Sequence, residues 1–120
     1  MNYAQELKEY VDGVVKEGGS DLHFSAGNHP TIRVSEVLIP LLKKPKLKPE
    51  DTLGLLSELL SDTQKERFLK VQEIDFSYAY NEKVRFRCNA FFQKSSISIA
   101  MRLVEDKIRN LEELSLPPLL

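Results

Sequence analysis

At 120 residues the chain has the length of one domain, and with 42% hydrophobic and 29% charged residues it can bury an ordinary core. A formal net charge of −1 gives no global pull toward nucleic acid or an anionic membrane, and a single cysteine excludes an internal disulfide. No run approaches the ~18 apolar residues of a spanning helix, and Met1 is followed by polar, charged residues rather than a secretion signal, so a soluble cytosolic domain is expected.

Residues 2–16 are predicted to form the first helix, because Tyr3, Leu7, Tyr10, Val11, Val14 and Val15 recur at three- and four-residue spacing. Gly18-Gly19 ends it, since glycine accepts the left-handed conformation that follows a helix C-terminus. Ser20 to Ser25 then alternates as a strand does, with Leu22 and Phe24 inward and Asp21 and His23 outward. Gly27-Asn28-His29-Pro30 is a turn, and Thr31 to Val34 is a second short strand with Arg33 outward. Val37 to Leu42 reads as a third, and Pro40 suits it to an edge. Lys43 to Lys48, with four lysines and Pro45, reads as a solvated loop.

Pro49-Glu50-Asp51 opens a helix, with a proline in the first turn and two acids facing the positive end of the dipole. Leu53, Leu56, Leu59 and Leu60 are its apolar stripe. Ser61 and Gln64 have the spacing of a capping box for a short helix through about Lys70, anchored by Phe68 and Leu69. From Ile74 to Val104 the chain reads as a three-stranded antiparallel meander. Val84, Phe86, Cys88, Ala90 and Phe92 share one face with Ile97, Ile99, Met101 and Leu103, while Arg85, Arg87, Asn89 and Arg102 share the other. Cys88 therefore reads as a small core hydrophobe. A two-residue turn at Lys94-Ser95 pairs Gln93 with Ser96, Phe91 with Ser98 and Arg87 with Arg102. Helices and strands are segregated, so the class is α+β, with helices packed on one side of the sheet.

Enzyme signatures are missing: there is no phosphate loop, dinucleotide fingerprint or H-E-x-x-H. Two histidines and one cysteine cannot build a structural zinc site, so no metal ligand is expected. Asp21 and His23 could orient each other, but no serine or cysteine nucleophile is placed with them, and no catalytic residue is expected. The sharpest clue is the arginine face. Arg87 opposite Arg102 loses stability unless something anionic lies between them, and Arg85 stands two residues away on the same side. That face reads either as a solvated surface countered by Asp75 and Glu73, or as a site for anion recognition by planar guanidinium forks.

Four segments carry a family resemblance: Gly19-Ser20-Asp21-Leu22-His23-Phe24-Ser25-Ala26-Gly27, Pro30-Thr31-Ile32-Arg33-Val34, Glu73-Ile74-Asp75-Phe76-Ser77-Tyr78, and Val84-Arg85-Phe86-Arg87-Cys88-Asn89-Ala90-Phe91 with Gln93 and Arg102. In order and spacing the chain resembles the N-terminal domain of PilT-like type IV pilus retraction ATPases, in the type II/IV secretion ATPase superfamily. The resemblance implies an α+β, PAS-like antiparallel sheet of about six strands with helices on one face, spanning 1–116. Residues 117–120 would begin a linker to a RecA-like ATPase domain absent here. It also implies a homohexamer driving twitching motility, in which this domain packs on the RecA-like domains of its own and a neighbouring subunit.

By the same resemblance Arg85, Arg87 and Arg102 contact nucleotide in trans, while Asp21, His23, Arg33 and Asn89 are interface or supporting residues. ATP and Mg²⁺ belong to the intact ATPase; this chain alone is expected to hold neither and to be inactive. The implied setting is cytoplasmic, peripheral to the inner membrane through the platform of the pilus machinery, without nucleic acid. The start at Met1 favours the retraction branch, and the Leu116-Pro117-Pro118 ending resembles the interdomain linker. A stand-alone PAS-like sensor or interaction domain is the alternative. Two positions depart from the family pattern: Ser35-Glu36 replaces a usual Asp-Gly turn, removing glycine's positive-φ option, and Glu105 stands where a proline is common.

Overall fold

The computed structural model describes residues 2–105. Helix α1 (Tyr3–Lys16) begins where the Asn2 side chain accepts a hydrogen bond from the Gln5 amide, and its apolar stripe of Leu7, Tyr10, Val11 and Val14 is buried. Two short strands follow, β1 (Asp21–Ser25) and β2 (Thr31–Val34), then β3 (Val37–Pro40). Helices α2 (Pro49–Leu59) and α3 (Asp62–Val71) lead into β4 (Glu73–Ala79), β5 (Val84–Gln93) and β6 (Ser96–Glu105).

All six strands join one sheet in the order β3-β2-β1-β6-β5-β4, and every neighbouring pair is antiparallel. The meander keeps the expected register, with Gln93 opposite Ser96, Phe91 opposite Ser98 and Arg87 opposite Arg102. The three helices lie against the apolar face, α1 on β1, α2 on β1 and β6, and α3 on β4. Between them Leu22, Phe24, Phe86, Ala90, Ile99 and Met101 are almost completely enclosed. Tyr10 packs against Phe24 with ring centroids 5.4 Å apart, and Phe68 stacks on Phe92 at 5.0 Å.

Several local expectations change. Strand β3 ends at Pro40 rather than Leu42, and all four of its residues are exposed. In α2 the buried positions are Thr52, Leu55 and Leu56, while Leu53 is 49% exposed, because the helix turns a 52–55–56 face to the sheet. Only Phe68 anchors α3; Leu69 faces solvent. The capping box at Ser61 and Gln64 is present, each side chain accepting the other's backbone N–H. The lysine loop is more than a solvated connection. Leu47 is 2% exposed, and its backbone exchanges hydrogen bonds with Gly27 (2.7 Å) and Asn28 (2.9 Å). Lys44 reaches back to Glu9 at 2.6 Å and lies over the Tyr10 ring. The expected bounds, 1–116 for the domain and 117–120 for the linker, end outside the described residues.

Both tight turns of the sheet are made without glycine. Ser35 and Glu36 have φ of 50° and 68°, and Lys94 and Ser95 have 53° and 69°. Two consecutive left-handed residues match the right-handed twist of the flanking strands, so the hairpin geometry survives the loss of Asp-Gly and the cost appears as backbone strain. Strand β6 runs on to Glu105, which pairs with Val84; a proline there would have no N–H to offer.

Two outcomes are expected. Glu36→Gly should raise stability by about 0.5–1 kcal/mol, the relief of left-handed strain less the entropy glycine loses on folding, read as a shift of the urea midpoint at constant m. Burial pushes the Cys88 thiol up to about 12, so its alkylation by iodoacetamide at neutral pH should proceed only through unfolding. A native-state rate matching that of the denatured chain would contradict the burial.

Candidate functional site

The face opposite the helices carries no helix among the described residues, and its side chains stand in rows set by the register. One row crosses all six strands as Leu38, Arg33, Asp21, Arg102, Arg87 and Ser77. The next runs Pro40, Thr31, His23, Ala100, Asn89 and Asp75. Arg85 stands one row beyond Arg87, between Ala79 and Val104. The seven residues singled out from sequence, Asp21, His23, Arg33, Arg85, Arg87, Asn89 and Arg102, therefore lie on this one face.

Asp21 is the centre of that face. It lies on the outward side, as its place in the alternation predicts, yet it is only 7% exposed. Its Oδ1 accepts the Ser20 hydroxyl at 2.6 Å, with Arg33 Nε 3.9 Å away. Its Oδ2 lies 3.6 Å from Arg102 Nε and 3.9 Å from His23 Nε2. Cations on both neighbouring strands crowd over the carboxylate and cover it. Asp21, not an external anion alone, thus offsets one of the two facing arginines. Ser20 was not singled out, because its role depends on a partner beside it in sequence but outside the strand alternation.

Arg85 and Arg87 are different. Both are exposed, and among the described residues neither has a carboxylate within 4.0 Å. The counter-charges offered by the sequence, Asp75 and Glu73, are engaged instead by the Asn89 amide, which donates to them at 2.8 and 3.3 Å. Arg87 consequently faces Arg102 with its charge unspent. Burial lowers the His23 pKa below the ordinary imidazole value; Asp21 opposes that shift, while Arg33 and Arg102 reinforce it. Its Nε2 is enclosed without a hydrogen-bond partner among the described residues.

Chemically, this arrangement suits an anion, since it presents guanidinium charge and hydrogen-bond donors on one face of a sheet. Among the described residues no cluster of three or more His, Cys, Asp or Glu side chains could hold a metal ion, and no helix is long and apolar enough to cross a membrane.

No protein-family model matches the chain. It is 33% identical over 115 residues to the type IV pilus ATPase PilU of Pseudomonas aeruginosa, covering 96% of this chain and 30% of that protein. To the type IV pilus retraction ATPase PilT of the same organism it is 32% identical over 111 residues, covering 92% and 32%. The chain thus spans about a third of the length of these curated relatives. Among solved structures, the pilus retraction motor PilT with bound ADP superimposes with a TM-score of 0.72 at 32% identity, over 79% of this chain and 28% of that one. The ATPase DotB of Legionella pneumophila gives 0.71 at 16% identity over 87% and 29%, a likeness of fold.

The charge row predicts opposite responses to two substitutions. Arg87→Gln should leave the chain as stable or a few tenths of a kcal/mol more so, since it relieves a like-charge cross-strand pair. Asp21→Ala should cost about 1–3 kcal/mol by removing the counter-charge shared by Arg33 and Arg102 and the acceptor of the Ser20 hydroxyl. Thermal melts of both variants check the sign. His23 adds a pH dependence: its folded-state pKa is depressed, so the unfolded chain binds its proton more readily. Stability should therefore fall as pH drops below about 6.5, and His23→Gln should flatten that slope in melts between about pH 5 and 7.

Proposed function

We propose, from the premise that this chain is a homologue of the PilT and PilU type IV pilus ATPases within the secretion ATPase superfamily, that it serves as the N-terminal domain of a hexameric retraction motor. In this reading it is PAS-like and cytoplasmic, and it packs on the RecA-like motor domain of a neighbouring subunit. Arg85, Arg87 and Arg102 reach nucleotide phosphates held on that motor domain, which would also hold Mg²⁺ and activate water. The pilus machinery's membrane platform is its further partner.

The observation that carries this reading is that, among the described residues, Arg87 and Arg85 stand uncompensated beside Arg102 on a face that carries no helix. Two facing arginines with one carboxylate between three strands leave a surplus of positive charge, which is stabilised when an anion arrives on assembly. The crystal structure of the relative PilT contains ADP, an anion of the required chemistry. Arg102 is already held by Asp21 through Nε, so Arg87 has more to gain from phosphate than Arg102. Asp21, His23, Arg33 and Asn89 support the face by fixing the positions of its charges.

A single charge-assisted contact that tightens in the transition state is worth about 1.5–3 kcal/mol, roughly a tenfold to hundredfold effect on rate. In the intact hexamer Arg87→Gln should lower ATPase activity by that factor, and Arg102→Gln by less. The 120-residue chain alone should show no turnover, because arginines supply charge but do not activate water. Steady-state ATPase assays decide both points. Full activity with Arg85, Arg87 and Arg102 all changed to glutamine would return the face to a solvated surface, and turnover by the isolated chain would make it an enzyme in its own right.

A further inference from the structure

The polar face holds two depressions that meet at His23. One lies over Arg87, Arg102 and Asn89 and belongs to the site above. The other lies over β1 and β2, beneath the lysine loop, and the proposed function does not use it. We propose that this second depression is a separate oxyanion site of phosphate size, in which Arg33 and Lys46 supply the charge and Ser25 and His23 supply hydrogen bonds.

The lining fits an anion. Arg33 and Lys46 are present, and no aspartate or glutamate lines the depression. Among the described residues Lys46 has no carboxylate within 4.0 Å, in contrast to Lys44, which has Glu6 at 3.6 Å and Glu9 at 2.6 Å. Arg33 approaches Asp21 only through Nε, and its Nη1 makes a long 3.4 Å contact to the Glu36 carbonyl, so most of the guanidinium fork remains available. Ser25 Oγ accepts from the Asn28 amide at 2.9 Å, which leaves its own proton to donate outward.

The site is also built rather than merely charged. Lys46 is held over it by its neighbour Leu47, a core residue whose backbone exchanges hydrogen bonds with Gly27 and Asn28. Gly27, at φ 88°, makes the turn that brings this loop onto the sheet. Leu38 and Pro40 form one wall. His23 stands at the border with an enclosed, unpartnered Nε2. The charged groups facing it are Asp21 on its own strand, Arg33 from β2 and Arg102 from β6. An anion beside it would favour its protonated form, in which both ring nitrogens are donors.

The experiment is an NMR titration of inorganic phosphate into the ¹⁵N-labelled 120-residue chain at constant ionic strength, with matched chloride as control. Saturable shifts are expected at the Ser25 and Thr31 amides and in the His23 ring, in the millimolar range. Lys46→Gln, at an exposed side chain, should weaken binding about tenfold, as expected for loss of one charge-assisted contact. Arg87→Gln should leave it unchanged, so this site stands or falls independently of the nucleotide reading. Shifts that chloride reproduces, or a response that persists in Lys46→Gln but vanishes in Arg87→Gln, would overturn the proposal.

Discussion

The pairing of β1 with β6 is the contact on which the rest depends. It joins two hairpins that are distant in the chain, and it is extended by a hydrogen bond from the Leu103 amide to the Ser20 carbonyl at 2.8 Å. Without it, β1 to β3 would be a small three-stranded ribbon of short strands whose buried apolar residues are Leu22, Phe24 and Ile32, little apolar surface for independent stability. With it, Leu22 and Phe24 lie beside Ile99 and Met101 in a continuous apolar surface, and the helices have a sheet wide enough to cover. The same pairing sets Asp21 opposite Arg102. Core and charge row are thus two faces of one register, and a one-residue slip would destroy both.

The charge row shows how a sheet can carry surplus positive charge without falling apart. A carboxylate as covered as Asp21 needs partners, and it has a hydroxyl at 2.6 Å and three cationic or imidazole groups between 3.6 and 3.9 Å. Because both arginines meet it through Nε, their terminal nitrogens are not spent on it, and among the described residues only Arg33 Nη1 makes a long 3.4 Å contact elsewhere, to the Glu36 carbonyl. Asp21 therefore fixes Arg33 and Arg102 in place while leaving them able to grip something else. Arg87 lacks this support, and Asn89 withholds the nearest acids from it. The face is graded across the strands, from neutralised at β1 to uncompensated at β5.

Strain is tolerated where the framework is rigid. The Ser35-Glu36 and Lys94-Ser95 turns both adopt the left-handed conformation that glycine or asparagine would take at lower cost. Each is closed by paired strands whose burial or ladder hydrogen bonds outweigh a penalty on the order of 1 kcal/mol per residue. The β3 edge is less protected: Val37, Leu38 and Ile39 are all exposed, with Pro40 removing one donor from its rim.

The sequence by itself determined the local periods and hence most of the elements. Strict two-residue alternation in 84–103 allows one register once a two-residue turn is set, so Arg87 opposite Arg102 was legible. The Ser61–Gln64 capping box was legible too, because capping is a matter of neighbouring residues. Which leucines of α2 and α3 are buried was not, since Leu53 and Leu69 fit a helical stripe as well as Leu55 does and only the docked sheet chooses among them. Nor could a run of lysines reveal that Leu47 is a core residue holding Lys46 in place. Tertiary structure alone decided that β1 lies beside β6, and with it that Asp21 is a buried hub rather than a solvated acid. Pairing between distant strands depends on how the whole apolar surface closes, and no short-range pattern encodes that.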